Sequence, residues 1–249
     1  MTDWDALHVE LDRWAEDGLK ADLWWRDDDA ADLSPNLMRL LRVTETSIVP
    51  LTLAVIPKQN RLTQKDLNTL IVPVQHGYTH SNFAMPTAKK CELGPERRAD
   101  HVIGELMAGR DALERAFGDV FSPVLVPPWN RLADHLRVML PDLGYLGLSR
   151  FGPRDMPALG PMRIVNTHVD VIDWKGSRGF VGTSAALTQM TAHLQARRQR
   201  QVDPDEPTGL LTHHLLHDDD CWIFLARLFD ETSRHAAVRW RDAASLFYH

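Results

Sequence analysis

Residues 24–30 read Trp24-Trp25-Arg26-Asp27-Asp28-Asp29-Ala30 (WWRDDDA). An apolar run beginning at Leu23 gives way to an arginine and then to three carboxylates in a row. Short apolar runs without polar alternation suit strands buried on both faces. Residues 23–26 therefore read as a strand, with the carboxylates at its C-terminal end. Three adjacent negative charges repel unless cations or donors separate them. What holds them decides both the fold and the chemistry.

The rest of the chain repeats the pattern. Helices are expected over residues 3–18, 34–43, 63–70, 95–117, 130–140, 183–198 and 219–229. In the first, Trp4, Leu7, Leu11 and Trp14 share one side. In the second, Ser34 caps and Pro35 takes the first position. Strands are expected over 23–26, 49–56, 71–75, 123–126, 145–149, 163–168 and 209–212. Strands alternating with helices imply βαβ units and a parallel sheet, either a barrel or doubly wound. The whole of 1–249 reads as a single domain without repeats, and only Asp203–Pro207 is loop-like enough to be an exposed excursion. In such folds the chemistry gathers at the C-terminal strand ends.

Composition removes several classes of function. The net charge of −6 argues against a general nucleic-acid binder. No apolar run is long enough for a membrane span. The first residues, MTDWDALHVELDRW, lack the apolar core of an export signal. Cys91 and Cys221 have no pairing pattern and read as reduced thiols, so a cytoplasmic location is expected. The oligomeric state is not legible.

The strand ends carry the unusual residues. Asp27, Asp28 and Asp29 follow the first strand, and His76-Gly77-Tyr78-Thr79-His80 follows the third. Pro127-Pro128-Trp129-Asn130 follows the fourth. His168, Asp170 and Asp173-Trp174 follow the sixth, and His213-His214 the seventh. Metal-assisted hydrolysis needs such a set. Two imidazoles spaced i, i+4 share a face if they lie on a helical turn, and one carboxylate completes three ligands. A fourth position stays open for water, which the ion acidifies. A further carboxylate can serve as base and a distant histidine as acid.

This ordered set resembles the polysaccharide deacetylases of carbohydrate esterase family 4. Their motifs are an Asp-Asp pair, His-[Ser/Thr]-x-x-His, an Arg-x-Pro-[Tyr/Trp]-type turn, an Asp-Trp and a Leu-x-x-His. The resemblance spans about residues 22–217. It implies a distorted (β/α)7-type barrel and a divalent metal, most often Zn2+. It implies Asp28 as catalytic base and Asp29, His76 and His80 as metal ligands, with Asp27/Asp28 as the other register of the pair. Gly77 stands where the family has Ser or Thr. Pro128, Trp129 and Asn130 would wall a sugar groove. Asp173 would tune the catalytic histidine, and Trp174 would line the site. Leu-x-x-His fits His213 as the general acid, with His214 the alternative.

The third motif departs, because Val126 stands where the family often places the arginine that orients the base. Positions i and i+2 of a strand share a side, so Arg26 is expected to replace it beside Asp28. The implied activity is removal of N-acetyl or another acyl group from a carbohydrate or its precursor. The alternatives are a small cyclic-amide hydrolase of the allantoinase type and a non-catalytic carbohydrate-binding relative.

Overall fold

The computed structural model describes residues 2–248. One ten-stranded sheet organises them. Its strands are β1 (Ala21–Ala30), β2 (Leu51–Val55), β3 (Ile71–His76), β4 (Val124–Val126), β5 (Gly147–Leu148), β6 (Ala158–Leu159), β7 (Met162–Ile164), β8 (Val169–Asp170), β9 (Thr208–Thr212) and β10 (Val238–Arg241). The helices are α1 (Asp3–Glu16), α2 (Pro35–Ser47), α3 (Ala99–Phe117), α4 (Asp134–Arg137), α5 (Thr183–Arg198), α6 (Asp219–Ser233) and α7 (Ala243–Phe247). The strand order is β6-β7-β5-β4-β3-β2-β1-β9-β8, with β10 added beside the start of β1. All pairs are parallel except β6 with β7. The sheet curls into an incomplete barrel of the (β/α)7 type.

Alternation along β1 divides the core. Leu23 and Trp25 belong to the cluster under α1, α2, α5 and α6, where the Trp25 ring lies 4.7 Å from Phe229. Trp24 belongs to the inner cluster with Ala54, Val74, Val124 and Val126 from the neighbouring strands. Phe247 of α7 joins that cluster, its ring edge-on to Trp24. Both tryptophans are fully buried, so β1 is apolar on both faces from Leu23 to Trp25. That is the physical reason its sequence does not alternate.

Local signals set the helix starts. Thr2 and Asp5 form a reciprocal capping box on α1, and Ser34 caps α2 ahead of Pro35. Asp218 caps α6 by accepting from the Cys221 amide. No helix of the described residues is long and apolar enough to cross a membrane. Both cysteines are free and buried.

Several expected elements differ. β1 runs on to Ala30, so the three aspartates lie within the strand rather than after it. The helix expected over 63–70 shrinks to a single 3-10 turn, Gln64–Asp66. The helix expected over 130–140 breaks because Trp129 and Asn130 adopt left-handed backbone, leaving only α4. The strand expected over 163–168 divides into β7 and β8, and His168 falls between them. β6, β10 and α7 had no sequence signal, because none is a long apolar run.

Candidate active site

Each aspartate of the cluster has its own partner. Asp28 meets Arg26, whose Nε donates to Oδ1 at 2.9 Å and Nη2 to Oδ2 at 3.0 Å. Arg26 is fully buried and Asp28 nearly so. The same guanidinium donates to the Ser149 hydroxyl at 2.6 Å and to Asn130 Oδ1 at 2.9 Å. Asp27 points to the other face of the strand. There it accepts from the Thr212 hydroxyl at 2.6 Å and the His214 amide at 3.0 Å, and it pairs with His214 Nδ1. Burial pushes the Asp27 carboxyl up, but the charge and hydrogen bond of His214, with His217 and the Thr212 hydroxyl, together hold it below the usual carboxylate range. Burial likewise lowers His214, and Asp27 overcomes that and raises it. The two shifts agree on an ion pair.

Alternation would send Asp29 to Asp27's side. Instead its φ is 71°, and the register against β2 slips between Asp27 and Ala30. Aspartate tolerates this left-handed backbone better than most residues. The kink turns the Asp29 carboxylate towards His76 and His80, with Oδ1 at 3.1 Å from Nε2 of each. Burial pushes this carboxyl up, yet hydrogen bonds from the two imidazoles hold it far below the usual range. Of the two registers, this geometry places Asp29, not Asp28, beside the histidines.

His76 ends β3 and His80 closes the turn that follows. The turn is not helical, because Gly77 and His80 both have a φ of 56°. The i, i+4 spacing therefore works through a left-handed reversal rather than a helix face. His76 Nδ1 lies 3.0 Å from the Val126 carbonyl, to which it donates. Nε2 is then the nitrogen left to face Asp29, and it offers a lone pair once its proton is lost, the arrangement a ligating histidine needs. Val126 thus serves the site through its carbonyl while its side chain fills the inner core. Glu92, fully buried, accepts from the backbone of Tyr78, Thr79 and His80.

The trio fits a divalent ion. One donor atom of each of Asp29, His76 and His80 lies within 4.8 Å of the others. Donors about 2.1 Å from one tetrahedral ion stand about 3.4 Å apart, near the 3.1 Å seen for both imidazoles against Asp29. A second buried trio, His168, His193 and Glu206, does not fit. The Gly209 amide donates to His168 Nδ1, which leaves Nε2 protonated and facing Glu206 at 3.3 Å. The His168 and His193 rings also stack 3.6 Å apart at 16°, so their in-plane lone pairs cannot converge on one ion. His168 precedes β8 and Glu206 precedes β9, so this trio sits at the opposite strand ends from the aspartates. His168 was expected after a strand and is found before one.

His213 and His214 separate. His213 Nε2 stands 4.0 Å from Asp28 Oδ2, and its ring meets Trp174 edge-on at 4.8 Å. His213 Nδ1 is buried without a partner. His214 is committed to Asp27. Asp173 does not face His213: it accepts from the amides of Lys175, Gly176 and Ser177 and shapes their loop. Asp170 takes that place. It accepts from Trp174 Nε1 at 2.8 Å. Burial raises its carboxyl, against the pull of His213.

Of the expected groove wall, Trp129 packs on His80 at 4.5 Å and Trp174 is exposed. Pro128 is buried under Gly77, and Asn130 is engaged with Arg26, so neither forms a free sugar-facing surface. A cleft of about 410 Å³ opens beside the trio, lined by Asp29, Asp32, Gln59, His80, His214 and Leu215. Asp170, Ser149 and Glu92 had no assigned role in the sequence, and Asp27 and His214 were named there as alternatives for base and acid, not as partners of each other. Only Asp170 carried a signal, as a carboxylate beside a strand end.

No protein-family model matches the chain, and no curated protein matches it in sequence. Solved structures do match. A Mycobacterium smegmatis protein assigned as a polysaccharide deacetylase aligns over 86% of this chain and 76% of its own, at 18% identity and TM-score 0.61. The Bc1960 peptidoglycan N-acetylglucosamine deacetylase aligns over 92% and 88%, at 16% identity and TM-score 0.57. A family 4 acetyl xylan esterase from Clostridium thermocellum, solved with cobalt, aligns over 91% and 90%, at 13% identity and TM-score 0.55. A family 4 pseudoenzyme from Bacillus anthracis also matches. The chain has the fold of the polysaccharide deacetylases of carbohydrate esterase family 4.

Proposed function

We propose that this protein is a metal-dependent hydrolase that removes an acyl group, N-acetyl above all, from a carbohydrate or carbohydrate-containing precursor. One observation carries the reading. A ligand trio, an arginine-held carboxylate and a separate histidine converge at one end of the sheet. The structural relatives support the substrate class, since their names refer to peptidoglycan and xylan chemistry.

Asp29, His76 and His80 would hold the ion, for which Zn2+ is our first choice. A divalent ion, when bound, acidifies water and polarises the substrate carbonyl. Asp28 acts as the base and takes a proton from the attacking water. Arg26 fixes the Asp28 carboxylate in one orientation through both oxygens, so little freedom is lost when it accepts the proton. The attack forms the new C–O bond, and His213 then gives a proton from Nε2 to the nitrogen as the C–N bond breaks. Trp174 holds the His213 ring edge-on, and Asp170 anchors that indole. Trp129 and Trp174 supply aromatic surface for a sugar ring. The free thiols of Cys91 and Cys221 suit a reducing compartment, which favours a cytoplasmic precursor as substrate.

The test is acetate release from a panel of N-acetylated and O-acetylated saccharides by zinc- and cobalt-reconstituted protein. The proposal expects turnover on at least one acetamido sugar and its loss in Asp28→Asn. Sugar binding without turnover, unchanged in Asp28→Asn, would replace it with a non-catalytic role. Activity on ureides alone would move it to cyclic amides.

A further inference from the structure

We propose that Glu92 is a positioning residue for the metal centre, holding the turn that presents His80. The inference rests on the metal reading of Asp29, His76 and His80.

The turn after β3 is unusual in its backbone. Gly77 and His80 are both left-handed, which brings the amides of the turn round to one side. Three successive N–H groups facing one way form an anion-binding concavity. The Glu92 carboxylate fills it. Oε1 accepts from the Tyr78 amide at 3.2 Å, the Thr79 amide at 2.7 Å and the Thr79 hydroxyl at 3.0 Å. Oε2 accepts from the His80 amide at 3.2 Å. Glu92 is 0% exposed, and a carboxylate so buried persists only where donors replace its water.

Gly77 and Glu92 are matched in space. A Cβ at position 77 would stand 2.3 Å from Glu92 Oε2 and 2.6 Å from the Pro128 ring. The carboxylate occupies the room that a side chain at 77 would need. The motif carries glycine at 77, and a glutamate from outside the motif reaches in over it. His80 lacks the backbone carbonyl that anchors His76, so its direction depends on the turn. The hydrogen bond from the His80 amide N–H to Glu92 fixes the peptide that precedes the His80 ring.

Glu92→Gln is the discriminating variant. The Gln oxygen retains the three Oε1 bonds, while the amide nitrogen confronts the His80 N–H, donor against donor. Zinc affinity is measured by chelator competition on the full chain. Hydrogen exchange of the Thr79 and His80 amides is followed in the metal-free protein, with urea unfolding as the check on folding. The expected result is a loss of zinc affinity of about 10–100-fold, faster exchange at His80, and a cooperative fold in Glu92→Gln. Glu92→Ala should weaken zinc further if it folds, and Glu92→Gln decides the matter if it does not. A folded Glu92→Gln with unchanged zinc affinity overturns the role of Glu92 alone. A wild type that binds no zinc overturns the metal reading and this role with it.

Discussion

Replacing Arg26 by methionine tests how the aspartate cluster is held. Arg26→Met keeps the volume of the stem and removes every donor. Two bonds to Asp28 and one each to Ser149, Asn130 and the Arg150 carbonyl disappear. Asp28 is only 2% exposed, so water cannot take over. Removing one partner of a buried ion pair costs about 3–5 kcal/mol. At about 2–4 °C per kcal/mol for a chain of this length, the melting temperature should fall by about 6–20 °C. Arg26→Met/Asp28→Asn removes both charges and should recover on the order of 2 kcal/mol, because the unpaired carboxylate is the costly species. Urea unfolding followed by circular dichroism on the wild type, Arg26→Met, Asp28→Asn and the double variant closes the double-mutant cycle. Turnover of Arg26→Met should fall on the order of 100-fold, since a base that loses its orientation loses near-attack geometry. A single variant with wild-type turnover, or a double variant no more stable than the single one, would refute the reasoning.

Other expectations follow from the same geometry. His213→Ala should cut kcat by about 10²–10⁴-fold, with metal content unchanged. His214→Gln should act chiefly on stability, and steady-state kinetics beside thermal melts would expose exchanged roles. His214 is raised by Asp27, so its contribution is complete below the unfolded value of about 6.5 and fades as pH rises through the folded one. The stability gap between wild type and His214→Gln should therefore narrow above about pH 6.5. His193 runs the other way, because burial lowers it to about 2. The unfolded chain binds that proton below about pH 6.5 and the folded chain does not, so stability is lost on acidification. His193→Phe should flatten the stability–pH curve between about pH 6.5 and 4. Dipicolinate treatment should abolish turnover, and added zinc or cobalt should restore it.

The fold was readable because its strands are buried on both faces. Leu23, Trp24 and Trp25 sit between two apolar clusters, so an unbroken apolar run marked the strand. β10 escaped because Val238, Arg239, Trp240 and Arg241 alternate with charge at the sheet's margin. The site residues on strand ends were visible as residue types, while their directions were not. Nothing local says that Asp29 is left-handed, yet that one dihedral separates its partner from that of Asp27. Asp173 stood next to Trp174 and looked like the tuning acid. Asp170 accepts from the Trp174 indole instead, while Asp173 turns back onto the amides of its own loop. Glu92 was silent for another reason. It reaches the His80 turn from twelve residues away through backbone amides, which every sequence possesses.

The central claim is that Asp29, His76 and His80 form a metal centre. Elemental mass spectrometry on untagged protein tests it most directly, with His76→Ala/His80→Ala as the comparison. The account predicts one equivalent of a divalent metal in the wild type after reconstitution and none in the folded variant. A wild type without metal, or a variant that keeps it, would contradict the account.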